Sequence, residues 1–210
     1  MLTIKNFQKK YGTSSEPVLF IDDYILEKGI YWIKGSNGSG KTSLLKSIAG
    51  LIPFEGNIAV DGCDINHNRR AYLQQVNYAE AEPQYPLFLS GKDLIDFYRS
   101  TKKGNFPDSL LGNLGVEKFM GQKTATYSSG MLKKLSLVLA FIGNPTLVLL
   151  DEPLIALDVA AVEVLQSAIR QYNQAGVSFI ITSHQLFNNE LISCTTNLLL
   201  QEKSLQQETI

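Results

Sequence analysis

The chain has 210 residues, 44% of them hydrophobic, and nineteen basic against twenty acidic side chains leave a formal charge of −1. That length can bury one substantial core and a small appended unit, but not two full domains. So balanced a charge supplies no overall basic field for nucleic acid or anionic lipid, and no nucleic-acid partner is expected.

Taken in chain order, Met1 to Phe7 alternates apolar and polar residues as a strand does, and lacks the apolar core of a secretory signal. A cytoplasmic location is the expectation. Next comes a short apolar stretch, Ile30-Tyr31-Trp32-Ile33, followed by Gly35-Ser36-Asn37-Gly38-Ser39-Gly40-Lys41-Thr42 and then the helix-like run from Ser43 to Ala49. Those eight residues match the phosphate-binding loop pattern Gly-x4-Gly-Lys-Ser/Thr without a mismatch, in the strand-loop-helix context the pattern requires. Glycines at 35, 38 and 40 allow successive N–H groups to turn toward one anion. The following helix start adds its unpaired N–H groups and the positive end of its dipole. Lys41 is placed to reach the β- and γ-phosphates and Thr42 to ligate Mg²⁺, while Ser36, Asn37, Ser39 and Ser43 complete the phosphate-facing segment. A bound nucleoside triphosphate is implied.

His67 lies in a polar segment and reads as a solvated loop residue, and the stretch from Thr101 to Pro107 is the clearest loop. The longest apolar run, Leu135 to Ile142 interrupted by Ser136, falls far short of the ~20 residues that span a bilayer. Leu147-Val148-Leu149-Leu150 reads as a strand buried on both faces that delivers Asp151 and Glu152 at its C-terminal end, where α/β sheets bind ligands. Asp151 suits Mg²⁺, reached through water, and Glu152 suits the proton of an attacking water. The stretch from Val177 to Ser183 reads as another buried strand, ending at His184. Cys63 and Cys194 fit no metal-ligand spacing and read as reduced thiols.

With these segments in this order, the chain resembles the ATP-binding cassette (ABC) family over nearly its whole length. The resemblance implies an α/β fold of the phosphate-loop NTPase (RecA-like) type. Its sheet would be mostly parallel, with an N-terminal antiparallel β region and a helical subdomain inserted at about 83–142, all within one nucleotide-binding domain, 1–210. It implies ATP and Mg²⁺ as cofactors. Tyr11 matches the aromatic that stacks on adenine. Tyr127-Ser128-Ser129-Gly130-Met131 stands in place of the signature Leu-Ser-Gly-Gly-Gln, with Ser128, Ser129 and Gly130 facing the nucleotide of a second subunit in a head-to-tail pair. Ser128 also suits a helix cap, as does Asp158, which matches the family's dimer-contacting aspartate. His184 falls at the switch histidine.

One position departs from the pattern: Ala81 stands where the family carries a glutamine that touches Mg²⁺ or the attacking water. Glu80, Glu82 and Gln84 are candidate substitutes. The resemblance further implies a subunit that couples ATP-driven closure to transport by a separate integral membrane permease, at the inner face of the membrane. Tyr85, Pro86, Leu87, Phe88 and Leu89 form the expected docking cluster. The Tyr-Ser-x-Gly-Met variant resembles exporter-type cassettes. Two other readings stay open: a non-transport ABC ATPase, and a phosphate-loop nucleotide kinase, which would not call for Asp151-Glu152, Asp158 and His184 in this order.

Overall fold

The computed structural model describes residues 1–12, 16–183 and 194–208. In chain order its first elements are β1 (Leu2–Lys9), β2 (Leu19–Leu26), β3 (Ile30–Lys34), α1 (Lys41–Ile48), β4 (Glu55–Val60) and β5 (Cys63–Asp64). There follow α2 (Arg69–Gln75), β6 (Val76–Ala79), α3 (Gly91–Thr101), α4 (Asp108–Asn113) and α5 (Ser129–Ala140). The last are β7 (Leu147–Asp151), α6 (Val159–Gln174), β8 (Ser178–Thr182), β9 (Thr196–Gln201) and β10 (Ser204–Gln207).

Alternation makes the first sheet. Leu2, Ile4, Phe7 and Lys9 of β1 turn inward, and the pattern slips at Asn6, where φ is 48° and the register with β4 shifts. That bulge returns Phe7 to the buried face. The sheet is antiparallel, in the order β2-β1-β4-β5.

The second sheet has the order β10-β9-β3-β8-β7-β6, and its pairs are parallel from β9 through to β6. Its central strands are apolar on both faces, so alternation there sorts residues between two cores. Val148 and Leu150 of β7, with Phe179 and Ile181 of β8, join the cluster that holds Leu165 and Ile169 of α6 and Leu135 and Leu139 of α5. Leu147 and Leu149, with Ile180, join the opposite cluster, where Leu44, Leu45 and Ile48 of α1 meet Ile4 and Ile58 of the antiparallel sheet. A sheet covered on both sides is what parallel pairing requires. The α/β class, with its mostly parallel sheet and N-terminal antiparallel region, agrees with the sequence expectation.

From 83 to 142 the described elements are helical, apart from isolated bridges at Ser90 with Lys123 and at Asn105 with Gly143. Their starts are written locally. Ser90 and Asp93 form a reciprocal capping box on α3, Ser128 accepts from the Met131 N–H at the start of α5, and Asp158 accepts from the Ala161 N–H at the start of α6. Both cysteines are free. No helix among the described residues is long and apolar enough to cross a membrane.

Candidate functional site

Parallel pairing carries the C-terminal ends of β3, β8 and β7 to one edge of the sheet, and the sequence-predicted groups follow directly from those ends. From β3 the chain turns at Gly35, where a Cβ would lie 2.6 Å from the Leu200 carbonyl of β9 and equally near the Ser39 hydroxyl. The turn into α1 is made by Gly40, at φ 102° and against Leu19, whose side chain would stand 2.8 Å from an added Cβ. Both positions therefore demand glycine, for contact and for dihedral reasons respectively. Ser36, Asn37, Gly38 and Thr42 are exposed, and Lys41 is buried. The Lys41 ammonium donates to the Gly35 carbonyl at 2.7 Å and the Ser36 carbonyl at 3.1 Å. Burial lowers its pKa, and Glu152 and Asp151 oppose that shift, which places both carboxylates within electrostatic reach of the loop.

Tyr11 is half exposed, with its hydroxyl 2.8 Å from the Ser43 hydroxyl. One face of its ring receives the ammonium of Lys9, 4.5 Å from the centroid, which itself donates to the Pro53 carbonyl.

At the end of β7, Asp151 is buried with both carboxylate oxygens occupied. The Thr182 hydroxyl donates to Oδ1 at 2.6 Å and the Tyr78 phenol to Oδ2 at 3.1 Å. Burial, then the charge of Asp151, pushes the Tyr78 phenol well above its usual pKa, which keeps it a donor. Glu152 follows in the left-handed region at φ 43°, its N–H shared between the Thr182 carbonyl and hydroxyl, each at 3.0 Å. Such a conformation in a non-glycine residue costs about 1–3 kcal/mol and persists only where neighbours enforce it.

A cavity of about 390 Å³ lies between these groups and the loop after β6, lined by Thr42, Lys46, Tyr78, Glu80, Glu82 and Asp151 among others. Ala81, at the position where the resemblance expects a glutamine, also lines it. Glu80 stands 3.9 Å from Lys46. Behind the loop is a residue the sequence reading passed over. Lys133, 1% exposed on α5, donates to the carbonyls of Glu80 at 2.7 Å, Ala81 at 3.0 Å and Asp151 at 3.0 Å. Burial draws its pKa down to about 8 against the pull of Asp151, Glu152, Glu80 and Glu82. The available signal was a cation on the inward, mostly apolar face of α5. Tyr78 and Thr182 were also missed, since nothing local marks a strand hydroxyl as a carboxylate's partner.

A second group forms at the start of α5. Ser128 and Ser129 are exposed, and a Cβ on Gly130 would lie 2.9 Å from the Ala156 carbonyl, so this glycine permits the 154–158 segment to approach. Asp158 pairs with Lys134 at 2.8 Å while capping α6, and that hydrogen bond, followed by the one from Ala161, holds its carboxyl below the usual range. His184 lies outside the described residues. The apolar cluster expected at 85–89 divides: Tyr85 and Leu89 pack on the core, whereas Leu87 and Phe88 are 67% and 71% exposed. Ser90 starts a helix at once, leaving the two residues before Leu89 on the outside of the turn.

Comparison with known proteins gives the family. The family model described as "ABC transporter" matches residues 22–155. The ABC transporter ATP-binding protein YybJ of Bacillus subtilis is 34% identical over 88% of this chain and 85% of its own. The cytochrome c biogenesis ATP-binding export protein CcmA of Reclinomonas americana is 31% identical over 95% of this chain and 94% of its own. The tungstate uptake system ATP-binding protein TupC of Peptoclostridium acidaminophilum is 29% identical over 88% and 87%. Among solved structures, an ATP-binding subunit of an ABC transporter superposes with a TM-score of 0.88, covering 100% of this chain and 90% of its own at 23% identity. The chain thus belongs to the ABC transporter family, as one of its ATP-binding, ATP-hydrolysing cassettes.

Proposed function

We propose that the groups at the C-terminal edge of the sheet act as one hydrolytic centre. The observation that carries this reading is the convergence of Lys41 and Thr42 with Asp151 and Glu152, from two separated segments, onto one place. In it Gly35 to Ser43 hold the triphosphate, with Lys41 on the β- and γ-phosphates, and Tyr11 takes the adenine on the ring face away from Lys9. Hard oxygen donors on Thr42 and Asp151 fit Mg²⁺, which retains water and binds few protein ligands. Asp151, both of whose oxygens already accept hydrogen bonds, would serve the metal through water. The metal would supply positive charge that offsets the charge of the phosphates. Glu152 accepts the proton of the attacking water, and His184 is the further proposed catalytic residue.

We further propose that residues 1–210 form one nucleotide-binding domain, with a helical part at about 83–142. Two copies, or this chain and a related cassette, would pair head to tail with ATP between the phosphate loop of one and Ser128-Ser129-Gly130 of the other. Exposure of Ser128 and Ser129, and of Val159 beside Asp158, supports a surface that awaits a partner. An integral membrane permease would dock in the groove of about 600 Å³ bounded by Tyr85, Leu94, Phe97, Tyr98 and Lys102, holding the cassette on the cytoplasmic face of the membrane. Export is the direction we favour on the Tyr-Ser-x-Gly-Met variant at 127–131, and transport assays in membranes with the co-purified permease distinguish it from uptake.

The centre itself is tested by Glu152→Gln, which keeps shape and hydrogen bonding but removes the basic carboxylate. Steady-state turnover should fall by roughly 10²–10⁴-fold with ATP binding retained and a nucleotide-dependent dimer accumulating. Unchanged hydrolysis by the purified variant would falsify the assignment.

A further inference from the structure

The peptide unit that joins Asp151 to Glu152 is held at both ends. Its N–H is taken by the Thr182 carbonyl and hydroxyl, and its carbonyl oxygen by the ammonium of Lys133. Glu152 hangs from that unit in a left-handed conformation, so the plane of the peptide sets where its carboxylate points. The other two protons of the same ammonium go to the Glu80 and Ala81 carbonyls, in the loop that lines the cavity opposite Thr42. An ammonium has three protons to donate, and here three carbonyls, that of Asp151 buried and those of Glu80 and Ala81 partly buried, use all of them. Lys133 lies about one helical turn beyond the Ser128-Ser129-Gly130 start of α5.

We infer that Lys133 is a positioning residue that sets Glu152 and the 80–82 loop in register with the start of α5. In this chain a clamp on backbone carbonyls then stands in for the side-chain link lost at Ala81. The inference rests on the assignment of Glu152 as proton acceptor given above. Its mechanical content is specific. A displacement of the α5 start is transmitted through one rigid ammonium to both the loop and the Asp151–Glu152 peptide, without contact between Lys133 and nucleotide. Removing the ammonium takes its donor from all three carbonyls and releases one of the two ends at which the Asp151–Glu152 peptide is held.

Lys133→Met and Lys133→Gln test this, read beside Glu152→Gln in purified protein supplied with Mg²⁺ and ATP. Lys133→Met should lower kcat by roughly ten- to a hundredfold while KM and the ATP dissociation constant stay within about twofold, the pattern of a displaced catalytic group rather than lost binding. Lys133→Gln, with two amide donors, should recover part of that loss. Hydrogen exchange at the 80–82 and Glu152 amides should quicken in Lys133→Met while that of the phosphate loop is unaltered.

A merely structural lysine would give a lower melting temperature with wild-type kcat per folded molecule, and that result overturns the inference. If Lys133→Met does not fold, Lys133→Gln decides on the same split: reduced kcat at constant KM supports the clamp, and full kcat overturns it. Loss of turnover in Glu152→Gln together with full turnover in both Lys133 variants removes this inference alone. Full turnover in Glu152→Gln removes the catalytic reading beneath it.

Discussion

Two buried lysines face the same centre and are held in opposite ways. Lys41 donates to Gly35 and Ser36, carbonyls of its own loop, five and six residues away. Lys133 donates to Glu80, Ala81 and Asp151, carbonyls brought from two distant segments. A cation tied only to the loop that cradles a ligand can exchange those bonds for phosphate oxygens at little cost, because no other element is disturbed. One that joins three elements cannot let go without moving all of them. The phosphate side is therefore built for exchange and the 80–84 side for transmission, although both rest on a desolvated ammonium.

The largest effect that can break this contrast is at Lys41. Lys41→Ala should weaken ATP binding by about a hundredfold or more, because it removes the cation proposed to face the β- and γ-phosphates. It should leave thermal stability close to wild type, which a calorimetric titration and a melt on the same sample will check. A large drop in melting temperature without ATP would show that Lys41, too, is a structural tie.

A smaller change sharpens the other side. Ala81→Gln returns a side chain to the cavity beside Thr42 and Asp151 and should raise basal turnover severalfold, since the backbone clamp holds the loop but offers nothing to the attacking water. Glu82→Ala should lower turnover if that carboxylate compensates for Ala81. Rates equal to wild type in both variants would mark the loop's side chains as catalytically idle.

The smallest expected effect concerns a partly buried lysine. Lys102, at the end of α3, donates to the Leu73 carbonyl and, at 3.0 Å, to the Val76 carbonyl, and burial lowers its pKa to about 8. Its pKa in the folded chain thus lies below the unfolded value, so between about pH 8 and pH 10.5 the unfolded chain binds more protons. The cost of burying this charge is present in full below about pH 8 and fades as the pH rises through that window. Measured by denaturant unfolding, the stability of wild type relative to Lys102→Met should improve by about 1–3 kcal/mol between about pH 7.5 and pH 9.5. Both proteins share the raised tyrosines and Lys133, so those cancel in the difference. A constant difference would mean that Lys102 stays protonated across the range.

Much of this was legible before any coordinates, and for one reason. The phosphate loop, Asp151-Glu152 after an apolar strand, and the caps at Ser128 and Asp158 each depend on residues within a few positions of one another, where backbone dihedrals and near hydrogen bonds decide the outcome. The split of the 85–89 cluster was not legible, because five apolar neighbours look alike until a helix start fixes which of them face outward. Nor was the use of Lys133, Tyr78 and Thr182.

The sequence by itself determined that a triphosphate loop and two carboxylates would sit at strand ends in an α/β sheet, since pattern and local geometry carry that information. Only the tertiary structure decided which groups hold the Asp151–Glu152 peptide and what supports the loop at Ala81. Those bonds run from Lys133 to residues 18, 52 and 53 positions away and from Thr182 to one 31 positions away, and a hydrogen bond across such a separation exists only once the sheet and the helices have packed.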